Sequence, residues 1–273
     1  MLLSKIKKHF SLVLVRLKQK NTIKSILLEN DPSLNNIINA LNNLKFNNQY
    51  NLIFDKCEAY RSKLLKDDKT LISWGEVGVN KKMLVKDVCR KAASKKIWAQ
   101  FLFFITNNIK EPFFLEIGTN LGVSGSYILE ALNNKDKAKF ITMEGVSKLC
   151  EIADNQFKKI SVKQKYQIYK GLYDVTFPEL IKKDDKFNII FIDGNHKKEP
   201  TLNYFNDLKS VLLSPSIIIF DDINWNSEMK QAWEIIKEDS IVSYSIDFFK
   251  LGVIIINHDK KNKTKNYKLY LSL

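Results

Sequence analysis

From residue 112 onward the chain alternates short, almost wholly apolar runs with segments of helical period. The runs 113–118, 139–144, 165–169, 187–192, 216–221, 243–248 and 251–257 predict strands, and 122–133, 147–160, 175–182, 200–213 and 226–238 predict helices. Strand, helix and strand in succession with short connections are the pattern of a parallel, doubly wound sheet with helices on both faces. The last two runs, Ser243–Phe249 and Leu251–Asn257, lie too close for a crossover, so they pair as a hairpin and make one strand antiparallel. The fold class is therefore α/β, with a doubly wound, mostly parallel seven-stranded sheet. A solvated lysine-rich loop at 258–268 and a short strand, Tyr267–Leu271, end the chain.

The first hundred residues read differently. Residues 4–28 predict a basic helix with apolar positions at Ile6, Phe10, Leu14 and Leu17, which packs on the neighbouring domain or lies on a membrane surface. Asp31-Pro32-Ser33 restarts the chain ahead of helices at 34–44 and 49–66. Trp74-Gly75-Glu76-Val77-Gly78 is a turn-rich interruption, and 83–109 is largely helical. The expected division is a helical N-terminal region, 1–80, and an α/β domain, 81–273.

Composition narrows the function. Apolar residues make up 45% of the chain, enough for a sizeable core. The net charge is +14, yet of the 44 basic residues only Arg16, Arg61 and Arg90 are arginine. Base-edge readers favour arginine for its bidentate fork, so a nucleic-acid partner is disfavoured, while an anionic substrate stays open. Cys57, Cys89 and Cys150 are odd in number and widely spaced, which suits a reducing, cytoplasmic compartment rather than a disulfide framework. No apolar run is long enough for a transmembrane span.

In an open parallel sheet the ligand sits at the carboxyl ends of the strands, so the strand tips carry the argument. The first ends in Glu116-Ile-Gly118-Thr119-Asn120-Leu-Gly122, a strand, glycine turn and helix start whose free N–H groups and dipole converge on one spot. The spacing is not Gly-x-Gly-x-x-Gly, because Asn120 stands where a pyrophosphate needs bare backbone. That favours a smaller, zwitterionic ligand over NAD or FAD. The second strand ends in Glu144-Gly145, a carboxylate able to accept two hydrogen bonds from a ribose diol, or else an acidic helix start. The fourth ends in Asp193-Gly-Asn-His196 and the fifth in Asp221-Asp222-Ile-Asn-Trp225. Carboxylates gathered at neighbouring tips repel one another unless a hard cation such as Mg²⁺ joins them. Helix capping accounts for one of these aspartates more readily than for all three. His196 is a base, a ligand or neither.

Together these motifs resemble the class I S-adenosylmethionine-dependent methyltransferases, over about residues 80–257. The resemblance implies that family's Rossmann-like sheet. More narrowly, Asp193 with Asp221-Asp222 resembles the divalent-cation-dependent O-methyltransferases of the catechol and caffeoyl-coenzyme A type and related sugar O-methyltransferases. It implies a cofactor site at Glu116, Gly118, Thr119, Asn120, Gly122, Glu144, Gly145, Tyr173 and Asp193, a metal site at Asp193, Asp221 and Asp222, and catalysis by Asp193 and His196. Two departures stand out. Asp222 replaces the asparagine of the plant enzymes, and Leu172 replaces an aspartate that receives the adenine amino group, which shifts that contact to Tyr173 or Asp174.

The activity this implies is methyl transfer to the hydroxyl of a small molecule or sugar, with S-adenosylmethionine as cofactor and Mg²⁺ as the candidate ion. Alignment supplies most of the acceleration, and a base takes the hydroxyl proton. The alternatives are a metal-independent methyltransferase acting on nitrogen or nucleic acid, and a non-catalytic binding protein on the same fold. The Asn/Asp-Pro-Pro-Tyr/Phe motif of amino-methylating enzymes is missing after the fourth strand. A homo-oligomer is left open.

Overall fold

The computed structural model describes residues 2–46, 48–161, 165–260 and 264–271. Its N-terminal part comprises α1 (Leu2–Leu27), α2 (Pro32–Phe46) and α3 (Asn51–Lys66). A small antiparallel hairpin follows, β1 (Leu71–Ser73) and β2 (Lys82–Leu84), with a 3-10 turn at Gly75–Val77 between its strands. Then come α4 (Val85–Ala92) and α5 (Lys96–Asn108). The alternating part runs β3 (Phe113–Ile117), α6 (Val123–Leu132), β4 (Lys139–Glu144), α7 (Ser147–Ile160), β5 (Tyr166–Lys170), α8 (Tyr173–Ile181) and β6 (Phe187–Ile192). It continues with α9 (Lys198–Leu208), β7 (Leu212–Phe220), α10 (Ser227–Lys237), β8 (Tyr244–Asp247), β9 (Gly252–Ile256) and β10 (Lys265–Lys268).

The main sheet has eight strands in the order β10-β8-β9-β7-β6-β3-β4-β5. Strands β3 to β7 pair in parallel, whereas β9 is antiparallel to both β7 and β8. The eighth strand is the correction to the seven expected: β10 adds in parallel beside β8 and closes that edge. It begins two residues before the expected strand, and Leu269 and Leu271 beyond it are buried. Residues 261–263 of the lysine-rich loop lie outside the described residues.

The central strands are mostly apolar and buried along most of their length because helices cover both faces. In β9 all five residues, Gly-Val-Ile-Ile-Ile, are buried. Helices carry one apolar stripe instead: on α7 it is Leu149, Cys150, Ala153 and Phe157. The expectation of helix to residue 213 differs from the structure, where β7 already begins at Leu212 and pairs Leu212 with Phe187. Val211-Leu212-Leu213 fits either period, and sheet pairing decides it.

The N-terminal helices pack on the α/β part. Leu34, Ile37 and Leu41 of α2 and Phe54 of α3 share one cluster with Phe101 and Phe104 of α5 and with sheet residues. Phe54 meets Phe103 edge-on at 5.1 Å and stacks on Tyr127 at 5.6 Å. α1 joins the core through its last turns, where Ile26 is buried, and further back Gln19 Oε1 accepts from Tyr270 N at 2.9 Å. The side chain of Ile6 lies outside the described residues, and Phe10, Leu14 and Leu17 are exposed rather than packed.

Candidate active site

The order of the sheet reverses at β3, which has β4 on one flank and β6 on the other, so the loops leaving these strands diverge and open a crevice. A cavity of about 400 Å³ lies there, lined by Gly118, Asn120, Glu144, Gly145, Tyr173 and Asp193. Trp74 and Val77, from the connection between β1 and β2, close one side. A larger groove of about 720 Å³ between α3 and α7 contains none of the strand-tip residues.

The glycine turn is tied to β4. The N–H groups of Gly118 and Thr119 both donate to the Met143 carbonyl, at 3.1 and 3.0 Å. Glu144 holds the two loops together: its Oε2 accepts from Asn120 N and its Oε1 from Val146 N, both at 2.9 Å. Each carboxylate oxygen has a second lone pair, which leaves acceptor capacity at the cavity wall. Burial raises the Glu144 pKa, while these backbone donors oppose the shift. Asn120 adopts a left-handed φ of 49°, and its Oδ1 accepts from Leu121 N at 2.7 Å. A short polar side chain is suited to such a turn.

Of the nine residues expected around the cofactor, six line the cavity and Glu116, Thr119 and Gly122 stand behind it. Glu116 is fully buried and accepts from Ser124 Oγ at 2.5 Å and Thr142 Oγ1 at 2.7 Å; Thr142 in turn bonds Thr119 at 2.6 Å. This network braces the turn from beneath. The absent Cβ of Gly122 points at Ala153 and Phe157, so that glycine lets α6 approach α7 and does not face the ligand.

Burial also pushes the Glu116 pKa up to about 7. A carboxyl raised in this way favours the folded state below the unfolded pKa of 4.5, and that stability is lost as pH rises through about 7. The loss amounts to roughly 3 kcal/mol by pH 8. Glu116→Gln is expected to remove this slope in thermal melts between pH 4.5 and 8 and to melt higher than the wild type at pH 8. A wild-type slope unchanged in the variant would assign the pH dependence elsewhere.

Behind Asp193, outside the residues that line the cavity, lies a charged cluster. Asp193 follows β6 and its N–H donates to Ile117 O at 2.8 Å, which holds the β3 and β6 tips level. Burial raises its pKa well above the usual carboxylate range, the neighbouring Asp221 adds to the rise, and Lys250 opposes it. His196 Nε2 stands 3.5 Å from Asp193 Oδ1. The Lys250 ammonium lies 2.7 and 2.8 Å from the two Asp221 oxygens and 2.7 Å from Asp222 Oδ1. Burial disfavours that ammonium, but the two aspartates outweigh it and its pKa is raised.

This ammonium decides how well a divalent ion fits. Both Asp221 oxygens and one of Asp222 are already directed at a cation that the chain supplies. Among the described residues no group of three or more His, Cys, Asp and Glu side chains is arranged to hold a metal. The expected set of Asp193, Asp221 and Asp222 therefore does not fit Mg²⁺ in this arrangement. The crevice suits a cofactor such as S-adenosylmethionine better, with a bare turn at Gly118, a carboxylate with free lone pairs at Glu144 and an apolar face at Leu172–Tyr173. Trp74, Val77 and Lys250 were not singled out from sequence. The turn-rich stretch 74–78 was the available signal for the first two.

The fold is similar to that of solved methyltransferase structures. Residues 115–223 match a family model described as a methyltransferase domain. An uncharacterised protein of Acanthamoeba polyphaga mimivirus is 30% identical over 147 residues, and the chain spans 64% of that relative's length and matches it over 48% of its own. Three solved structures are similar in fold. The O-methyltransferase TomG of Streptomyces achromogenes, involved in tomaymycin synthesis and bound to S-adenosylmethionine, has a TM-score of 0.55 at 16% identity, covering 72% of this chain and 89% of that one. An O-methyltransferase from Bacillus cereus bound to S-adenosylhomocysteine scores 0.56 at 15% identity, covering 79% and 94%. A Podospora anserina methyltransferase bound to the same product scores 0.53 at 20% identity, covering 77% and 96%.

Proposed function

We propose that this protein is an S-adenosylmethionine-dependent O-methyltransferase acting on a hydroxyl of a small molecule. The observation that carries the reading is the cavity at the sheet's reversal point, with the Glu144 carboxylate on one wall and the Asp193 carboxyl on another. S-adenosylmethionine would supply an electrophilic methyl group there. Glu144 receives the ribose hydroxyls, the Gly118–Asn120 turn faces the methionine part, and Leu172 with Tyr173 offers the adenine an apolar seat. Asp193 takes the proton from the acceptor hydroxyl, and its raised pKa makes it a stronger base than an ordinary carboxylate. The 71%-exposed Trp225, three residues past Asp222, offers a flat apolar face to a ring-bearing acceptor. Divalent-cation assistance is not part of this proposal, because Lys250 already occupies the carboxylates that the ion would use.

The buried free thiols of Cys57, Cys89 and Cys150 suit a reducing, cytoplasmic setting, and no helix among the described residues is long and apolar enough to cross a membrane. Calorimetry with S-adenosylhomocysteine tests the cofactor half of the proposal. Micromolar binding is expected for the wild type, and Glu144→Ala is expected to weaken it roughly hundredfold, because charge-assisted hydrogen bonds are lost together with the brace on the turn. No heat from the wild type at millimolar ligand would remove the reading. Label transfer from methyl-tritiated S-adenosylmethionine to a panel of catechols, phenols and sugars tests the acceptor half.

A further inference from the structure

Lys250 stands in the turn between β8 and β9, and its place beside the aspartates is built by the sheet. Phe220 of β7 pairs with Gly252 of β9, and two more steps of that antiparallel register set Asp222 opposite Lys250. The turn is then pinned from three sides. Ile223 N donates to Lys250 O at 3.0 Å, Asn224 Nδ2 donates to Phe249 O at 2.8 Å, and Phe249 N donates to Asp247 Oδ1 at 2.6 Å. Phe249 is held at a φ of 69°, a conformation that costs a bulky residue free energy and persists only where the surroundings impose it. Its ring rests edge-on against Tyr270 at 6.0 Å. Asp222, across the turn, is also left-handed at a φ of 52°.

All three N–H donors of the ammonium are accounted for by Asp221 and Asp222. We infer that Lys250 is the resident cation of the acceptor pocket: it holds Asp221 and Asp222 in place, fills the position of a divalent ion, and lets the site work without one. Its role in the acceptor pocket rests on the methyltransferase reading, whereas its hold on Asp221 and Asp222 does not. Lys250 is a positioning residue, since it acts on the acceptor through the aspartates it orders and through the charge it places beside Asp193. A tethered ammonium differs from Mg²⁺ in consequence: it cannot be stripped by a chelator and brings no coordinated water.

The test is metal binding by the chelator-treated full-length chain, with Mn²⁺ as the probe and electron paramagnetic resonance as the readout. The wild type is expected to hold no specific Mn²⁺. Lys250→Ala exposes the carboxylates and is expected to gain one Mn²⁺ per chain, bound roughly a hundredfold or more tighter than by the wild type, as removal of a positive charge a few ångströms away implies. Lys250→Arg keeps the charge and should gain nothing, and Asp221→Asn added to Lys250→Ala should abolish the gain. Lys250→Gln, which keeps most of the stem, serves if the alanine variant does not fold. A wild type that binds one Mn²⁺ lost on Asp221→Asn overturns the inference, because the lysine would then yield to the ion. So does a folded Lys250→Ala protein, judged by near-ultraviolet circular dichroism, that gains no Mn²⁺. S-adenosylhomocysteine calorimetry on the same samples separates the two readings: its failure removes the methyltransferase assignment and leaves the Mn²⁺ result standing.

Discussion

Gly118→Ala is expected to destabilise the protein by about 3 kcal/mol or more and to abolish S-adenosylhomocysteine binding. The sequence suggests that this glycine keeps the backbone bare for a ligand, but the geometry gives it a second task. A Cβ at position 118 would overlap the Asp193 carbonyl oxygen and lie 2.8 Å from its carbonyl carbon. Those are backbone atoms of the β6 tip, locked by the bond from Asp193 N to Ile117 O, so they cannot swing aside as a side chain would. The φ of 114° adds backbone strain that any L residue would carry. Gly145→Ala is the control: its Cβ would crowd Val77 Cγ1, at 3.0 Å, where a valine side chain can yield, and meet Gly171 O at an ordinary 3.7 Å. Urea unfolding of the two variants should separate them by about 2 kcal/mol or more. A Gly118→Ala protein as stable as Gly145→Ala would show that the β3 and β6 tips are not rigidly joined.

What the chain reveals before it is folded follows the range of the interactions concerned. The central strands were legible because each is a buried apolar run, and α7 because Leu149, Cys150, Ala153 and Phe157 keep one helical stripe. The strand-tip carboxylates were legible because chemistry in a parallel sheet gathers at one known end. The eighth strand was harder: the period of Lys265–Lys268 is weak, and its pairing beside β8 is settled by strand order. Lys250 shows the same limit. The hairpin that carries it is readable, but not that β9 inserts between β7 and β8 and so brings the turn to the β7 tip. Among so many lysines only that register singles it out. Gly122 was legible as a turn residue but not in its purpose, because Ala153 and Phe157 meet it from a separate helix.

The second large effect concerns Asp193. Asp193→Asn is expected to lower turnover on any acceptor found in the label-transfer panel by roughly 10²–10⁴-fold, the usual contribution of a positioned general base. S-adenosylhomocysteine affinity should change far less, since the amide keeps the shape of the side chain and the backbone bond to Ile117 O. The pH dependence separates a base from a merely structural group. In the wild type the Asp193 proton must leave before the residue can accept one, so turnover rises with pH through its pKa. Burial and then Asp221 hold that pKa above the ordinary carboxylate value, which places the rising limb at higher pH than a free aspartate would give. In Asp193→Asn the limb disappears. Asp222→Asn is the comparison, because Asp222 reaches the pocket through Lys250 and not through Asp193. It should cost less and keep the limb. If Asp193→Asn retained both turnover and the rising limb, the proton would pass to another group, and His196, 3.5 Å away, would be the next base to test.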